Sequence, residues 1–123
     1  MLKQKSRYGM TIPLPDRLDD HKEIFRELVE LGYTDVWSSE ANETDGLTPL
    51  ALAAAWAPEL RLGTAILPAF TRGPALLAQS AAAMACAAPN NFVLGIGTSS
   101  DVIVERWNGI RFEDPYLKVR DTI

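Results

Sequence analysis

Hydrophobic positions along this chain fall in short blocks, and the blocks are of two alternating kinds. The sharpest block is Arg61-Leu62-Gly63-Thr64-Ala65-Ile66-Leu67-Pro68, apolar and partly β-branched, with small residues where a bulkier strand would pack freely. A run of this kind predicts a strand buried on both faces, as parallel sheets require. Pro68 has no N–H to give a ladder, so pairing is expected to stop near it. Residues 8–12 predict an earlier strand, closed by Pro13-Leu14-Pro15. Asp16, Asp19 and Asp20 then collect where a helix would begin, favourable for its cap and dipole. Ile24, Phe25, Leu28, Val29 and Leu31 follow at helical spacing, and Gly32 stands where a C-terminal cap belongs. Residues 33–39 predict a second strand around Val36 and Trp37, running out at Glu40.

The second half of the pattern repeats the first. After a polar loop, Thr48 as cap and Pro49 at the first helical position open a helix that runs to Ala57 and ends by Pro58. Beyond the central strand, a loop over residues 69–73 leads into a helix from about Pro74 to Ala88, stopped by Pro89-Asn90-Asn91. A fourth strand covers residues 92–97. Ser100 caps a short helix through Trp107, which Asn108-Gly109 ends, and Pro115 starts another helix. Each strand–helix unit spans about 30 residues, the size of a βαβ unit, so the sheet is expected to be parallel. Two architectures fit: a doubly wound open sheet, and part of an eight-fold barrel. In either, ligands gather at the carboxyl ends of strands. Chemistry is therefore expected at residues 64–67 and the loop after them; the alternative is that Gly63 and Ala65 merely let a helix pack close.

Composition narrows the function classes. A chain of 123 residues, 47% hydrophobic, supports one modest core and leaves no room for two ordinary domains. The net charge is -4 and the basic residues are scattered, so no nucleic-acid patch is visible. Residues 1–7 lack the apolar core of a signal peptide, and Pro58, Pro74 and Pro89 break the Ala-rich runs short of a membrane span. A cytoplasmic protein is the expectation. Cys86, alone in an Ala-rich helix, reads as a small buried residue. One His and one Cys argue against a zinc site of N and S ligands, no metal is expected, and His21 reads as a surface residue.

Two stretches carry candidate chemistry. Gly95-Ile96-Gly97-Thr98-Ser99-Ser100 begins like a dinucleotide fingerprint, but Ser100 stands in the third glycine's place and no acidic residue ends a following strand at the needed distance. The better reading is local: small residues after a strand expose N–H groups and hydroxyls to an anion or a polar ring. Glu40, at the carboxyl end of the second strand, is placed to move a proton or orient a ring, or else is a solvated loop acid. Trp107-Asn108-Gly109 either lines a pocket or packs.

Three spaced motifs, Gly32-Tyr33-Thr34-Asp35-Val36-Trp37-Ser38-Ser39-Glu40, Leu62-Gly63-Thr64-Ala65-Ile66-Leu67-Pro68 and Phe92-Val93-Leu94-Gly95-Ile96-Gly97, resemble the bacterial-luciferase-like superfamily in order over nearly the whole chain. The opening Tyr8-Gly9-Met10-Thr11-Ile12-Pro13-Leu14-Pro15, the Thr71-Arg72-Gly73-Pro74 turn and Glu105-Arg106-Trp107-Asn108-Gly109 look most like members that are oxidoreductases using the deazaflavin coenzyme F-420. The resemblance implies a parallel (β/α)8 TIM barrel, of which a full copy takes about 250 residues. Residues 1–123 would then be the N-terminal half of one barrel domain, with its first four strands. A half-barrel leaves sheet edges and an apolar strand face open, so a homodimer or pairing with a C-terminal half is expected.

What the resemblance implies for the site is specific. The Ala65–Ile66 bond matches a non-prolyl cis peptide inside a bulge that supports a flavin-type ring, so Thr64, Ala65 and Ile66 are cofactor-binding candidates. Gly97, Thr98 and Ser99 match a segment lining the cofactor pocket, and Glu40 matches an acidic position near the ring, the catalytic candidate. The implied cofactor is coenzyme F-420, with FMN as the alternative, and the implied reaction moves a hydride between coenzyme and a small organic substrate. An FMN-dependent luciferase-like monooxygenase, and a non-catalytic half-barrel that self-associates, are the other readings. Two departures stand out. Ala41 occupies the place of the luciferases' His, against a luciferase-type His mechanism, and Asn90-Asn91 replaces the Gly-Arg that many relatives carry before the fourth strand.

Overall fold

The computed structural model describes residues 6–12 and 17–123. Pro13, Leu14, Pro15 and Asp16, which the sequence reading used for a strand end and a helix start, lie outside the described residues, as do residues 1–5. Strand β1 is Gly9–Thr11 and β2 is Asp35–Ser38; β3 is Arg61–Thr64, followed by the short β4, Leu67–Pro68. Strand β5 is Phe92–Val93 and β6 is Ile96–Gly97. Helices are α1, His21–Glu30, α2, Thr48–Trp56, α3, Pro74–Ala87, and α4, Pro115–Thr122. A 3-10 turn at Leu18–Asp20 leads into α1, and Val102–Trp107 is wound as a π-helix, which replaces the short helix expected there.

All pairing is parallel. The main sheet runs β1-β2-β3-β5 in sequential order, and β4 pairs β6 beyond its carboxyl end. The predicted third and fourth strands are thus each broken in two, at the same height. Pairing reaches Pro68 because its neighbours do the donating: Leu67 N–H gives to Gly95 O at 2.9 Å and Ala69 N–H to Gly97 O at 2.9 Å. Phe25 and Leu28 of α1, Leu50 and Ala53 of α2 and Met84 of α3 pack in one cluster with Val36 and Leu62. Three successive helices therefore cover the same sheet face. That excludes the doubly wound alternative, which places helices on both faces, and leaves the barrel type. Four strands form only part of one.

Alternation puts Trp37 and Gly63 on the other face. The indole lies across Gly63 and Gly9, where a Cβ would run into it, and Arg61 stands 5.6 Å from its ring centroid. Below it, Asp35 is the buried hub of the sheet's amino end. Arg7 donates to it from Nη2 at 2.8 Å and from Nε at 3.1 Å, Arg61 Nε at 2.5 Å and the Thr34 hydroxyl at 2.5 Å. Burial pushes the Asp35 carboxyl up, but the hydrogen bonds from Arg7, Thr34 and Arg61 outweigh it and hold the group at about 2.

Three local expectations change. His21 is buried, with Nδ1 3.1 Å from Leu18 O and its ring stacked on Phe25 at 5.5 Å. Four residues before Phe25, it shares the helix face that meets the core. Cys86 is exposed, because it lies far around α3 from the buried Leu77 and Met84. An all-small helix gave the sequence reading no periodicity with which to orient it. Thr48 makes no cap at the start of α2; Asp45 Oδ1 accepts the amides of Leu47 and Thr48 at 2.9 and 3.0 Å instead. Gly32 does close α1, at φ +85 in the left-handed region.

Candidate active site at the carboxyl ends of the strands

The strand ends converge where the ladder breaks. The Ala65–Ile66 peptide is cis. Ala65 N–H donates to Ser38 O at 2.6 Å, and Glu40 N–H to Ile66 O at 3.3 Å. Behind the bulge, the Thr64 hydroxyl donates to Gly95 O and accepts from Gly95 N–H, both at 2.8 Å. Thr64 is buried, so it braces the bulge from behind, while Ala65 is exposed and Ile66 half-buried. A Cβ at Gly95 would collide with the Thr64 carbonyl; one at Gly97 would lie 2.9 Å from Ile66 Cγ1. The glycines of the supposed fingerprint thus serve backbone–backbone and backbone–side-chain approach. Beyond them, Thr98 Oγ1 donates to Ser99 O at 3.2 Å and Ser99 turns at φ +63.

Glu40 is part of a connected group. Arg72 Nε approaches its two oxygens at 2.9 and 3.0 Å, and Nη2 reaches Oε2 at 2.5 Å. Gly46 N–H donates to Oε2 at 3.0 Å, and Asp45 lies 3.6 Å from Arg72. The Ser38 hydroxyl donates to Gly46 O, which fixes the β2–α2 loop on the strand end. The Arg72 guanidinium is pushed up, first by the hydrogen bond to Glu40, against burial, and then by the charges of Glu40 and Asp45. Asp45 feels burial raising its pKa, but the Thr48 hydroxyl, the amides of Leu47 and Thr48 and the Arg72 charge bring it down. The β4–α3 loop is backed by Phe70, whose ring meets that of Phe112 at 5.0 Å.

Beside this group opens a cleft of about 360 Å³, lined by Glu40, Pro68, Thr71, Arg72, Ile103 and Asn108 among others. The predicted residues divide around it. Glu40 lines the cleft itself, whereas Thr64, Ala65, Ile66, Gly97, Thr98 and Ser99 are not among its lining residues; Ile66 is joined to it through the Glu40 N–H and approaches Gly97, and Thr98 and Ser99 lie on the loop leaving β6. Of Trp107-Asn108-Gly109, Asn108 lines the cleft and Trp107 stays largely exposed. Arg72 is the site residue to which sequence reasoning gave no role: it entered only within the Thr71-Arg72-Gly73-Pro74 turn, and nothing local says that it faces Glu40. The residues fit a planar polar ring: Ala65 bares the bulge, Ile66 offers an apolar edge, and Thr71 Oγ1, buried beside the cleft, has no partner among the described residues.

Known proteins share this fold. The chain superposes with a TM-score of 0.81 on the coenzyme F-420-dependent tetrahydromethanopterin reductase of Methanopyrus kandleri, over 97% of its own length and 38% of that chain, at 19% identity. It superposes with a TM-score of 0.75 on a monooxygenase from Streptomyces bottropensis, over 95% of its length and 40% of that chain, at 22% identity. In sequence it is 31% identical to a Mycobacterium tuberculosis protein provisionally named a coenzyme F-420-dependent oxidoreductase, over 85% of this chain and 30% of that protein. It is 35% identical to the F-420-dependent glucose-6-phosphate dehydrogenase of Kineococcus radiotolerans, over 76% of this chain and 32% of that protein. The chain therefore spans about a third of the length of these curated relatives. The family model described as luciferase-like monooxygenase matches residues 2–123, and the chain belongs to that family.

Proposed function

We propose that this chain forms the N-terminal half of a single luciferase-like barrel and works in an oxidoreductase that uses coenzyme F-420. The observation that carries the reading is the junction of three strand ends: Glu40 N–H on Ile66 O, with Ile66 lying over Gly97, beside an open cleft. It gains support from relatives whose names specify F-420 dependence. When bound, the coenzyme supplies the hydride chemistry. The protein's part is to seat the ring on Ala65 and Ile66, shield it from water with the Ile66 side chain, and present Gly97, Thr98 and Ser99 along one edge. Glu40 is the residue proposed to handle a ring or substrate proton; held by Arg72 and Gly46 N–H, it presents a fixed acceptor. The remaining pocket would come from a C-terminal half or a second copy.

FMN as the cofactor of a monooxygenase is a second reading, favoured by the fold shared with a monooxygenase. Titrations of F-420 and FMN into the purified protein, followed by fluorescence and paired with O2 uptake, separate the two. F-420 binding with micromolar affinity or better supports the first reading. FMN binding with O2 consumption and no deazaflavin turnover overturns it. Binding of neither, together with self-association on a sizing column, supports a half-barrel that is not catalytic alone.

A further inference from the structure

We propose that Arg72 is the positioning residue of this site: it aims the Glu40 carboxylate and joins the two loops that frame the cleft. The inference rests on the reading above for what Glu40 faces, and on geometry alone for how Glu40 is held. Glu40 belongs to the β2–α2 loop, which is tied to itself and to its own strand through Ser38, Gly46 and the Asp45 cap of α2. Arg72 belongs to the β4–α3 loop, anchored by Arg72 N–H on Pro68 O at 3.3 Å and by the Phe70–Phe112 contact. Among the described residues, Arg72 is the only side chain whose hydrogen bonds cross from one loop to the other. It makes three of the four contacts that Glu40 accepts, the fourth being Gly46 N–H. Both side chains are mostly withdrawn from water, at 15% and 18% exposure, where an ion pair is screened least.

The shape of the link matters as well as its charge. A guanidinium fixes a carboxylate in its own plane through paired N–H groups, whereas an ammonium is a point charge that leaves the carboxylate free to rotate. With Arg72 removed, Glu40 keeps one backbone donor and swings, and the loops lose their bridge. Arg72 does not touch the reacting atoms in this scheme. It acts through Glu40, and so its effect should vanish when Glu40 can no longer receive it.

A double-mutant cycle of R72Q, E40Q and R72Q/E40Q tests this on the full chain with two readouts: amide exchange of residues 41–47, and the dissociation constant for F-420 from its fluorescence. R72Q is expected to speed exchange in 41–47 and weaken F-420 each by about tenfold, the order of one close coupled pair, with the double variant no worse than R72Q alone. Additive effects in the cycle would overturn the proposal. R72K keeps the charge and loses the fork, and is expected to exchange like R72Q within about threefold; full wild-type protection in R72K would show that charge alone suffices and would equally overturn it. If the wild-type protein binds no F-420, the cofactor reading falls, and the exchange cycle decides the role of Arg72 without it.

Discussion

Asp35 opens strand β2 and Glu40 lies just past its end, and each is gripped by arginine, yet the two ends of the sheet use that chemistry differently. Asp35 is reached by Arg61 from the neighbouring strand and by Arg7 just before β1, so its ion pairs tie strand to strand. Its side chain is 3% exposed. Glu40 is reached from a loop and holds a loop, at 18% exposure. Strand-borne pairs at the amino end fix pieces that the ladder already fixes. The loop-borne pair at the carboxyl end links two loops that no other side-chain hydrogen bond joins among the described residues. The same side-chain chemistry therefore joins strands at one end and joins loops beside the candidate site at the other.

The sharpest way to break that contrast is D35A. It leaves Arg61 and Arg7 facing a buried void and is expected to lower the unfolding free energy by about 3 kcal/mol in a urea titration, with E40A well below it. If E40A proves the more destabilising, the contrast is reversed. Next, G95A drives a Cβ into the Thr64 carbonyl and is expected to cost about 2 kcal/mol by the same measurement, because backbone cannot give way as a side chain does. An unchanged midpoint would mean that the bulge is softer than its contacts imply.

Acid separates the two ends again. Asp35 falls from an ordinary 3.8 to about 2 on folding, so its contribution is full above pH 3.8 and is lost as pH drops through 2. Stability of the wild type is expected to fall over that window by about 2 kcal/mol, and D35N to remove this component. A D35N profile as steep as the wild type would show that other carboxylates drive the acid response. The smallest effect on stability is expected for E40Q, about 1 kcal/mol or less, with a loss of coenzyme affinity out of proportion to it. Equal losses in both would make Glu40 a structural residue like Asp35.

Legibility in the sequence followed the range of the interactions. Strand and helix order was readable because Val36, Leu62 and the Ile24–Val29 spacing report burial locally, one face at a time, although Leu31, which the same spacing included, is exposed beyond the helix end. Gly32 was readable because a helix end and a left-handed residue are neighbours in the chain. Cys86 and His21 were misread, since their exposure depends on how a helix is rotated against partners distant in sequence. The choice between open sheet and barrel needed the resemblance for the same reason. Strand–helix alternation is common to both, and only the cluster shared by α1, α2 and α3 shows that the helices keep to one face.

By itself, the sequence determined the parallel strand–helix repeat, the placement of Glu40 at a strand end and the small residues Gly63, Ala65, Gly95 and Gly97 in the third and fourth strands. Hydrophobic period, capping and steric bulk act over a few residues and leave their mark in the local order. Tertiary structure alone decided that Arg72 meets Glu40, that Thr64 bonds Gly95 and that Asp35 gathers Arg7 and Arg61. Each of those pairs joins groups 26 to 32 residues apart, brought together only when the parallel strands find their register.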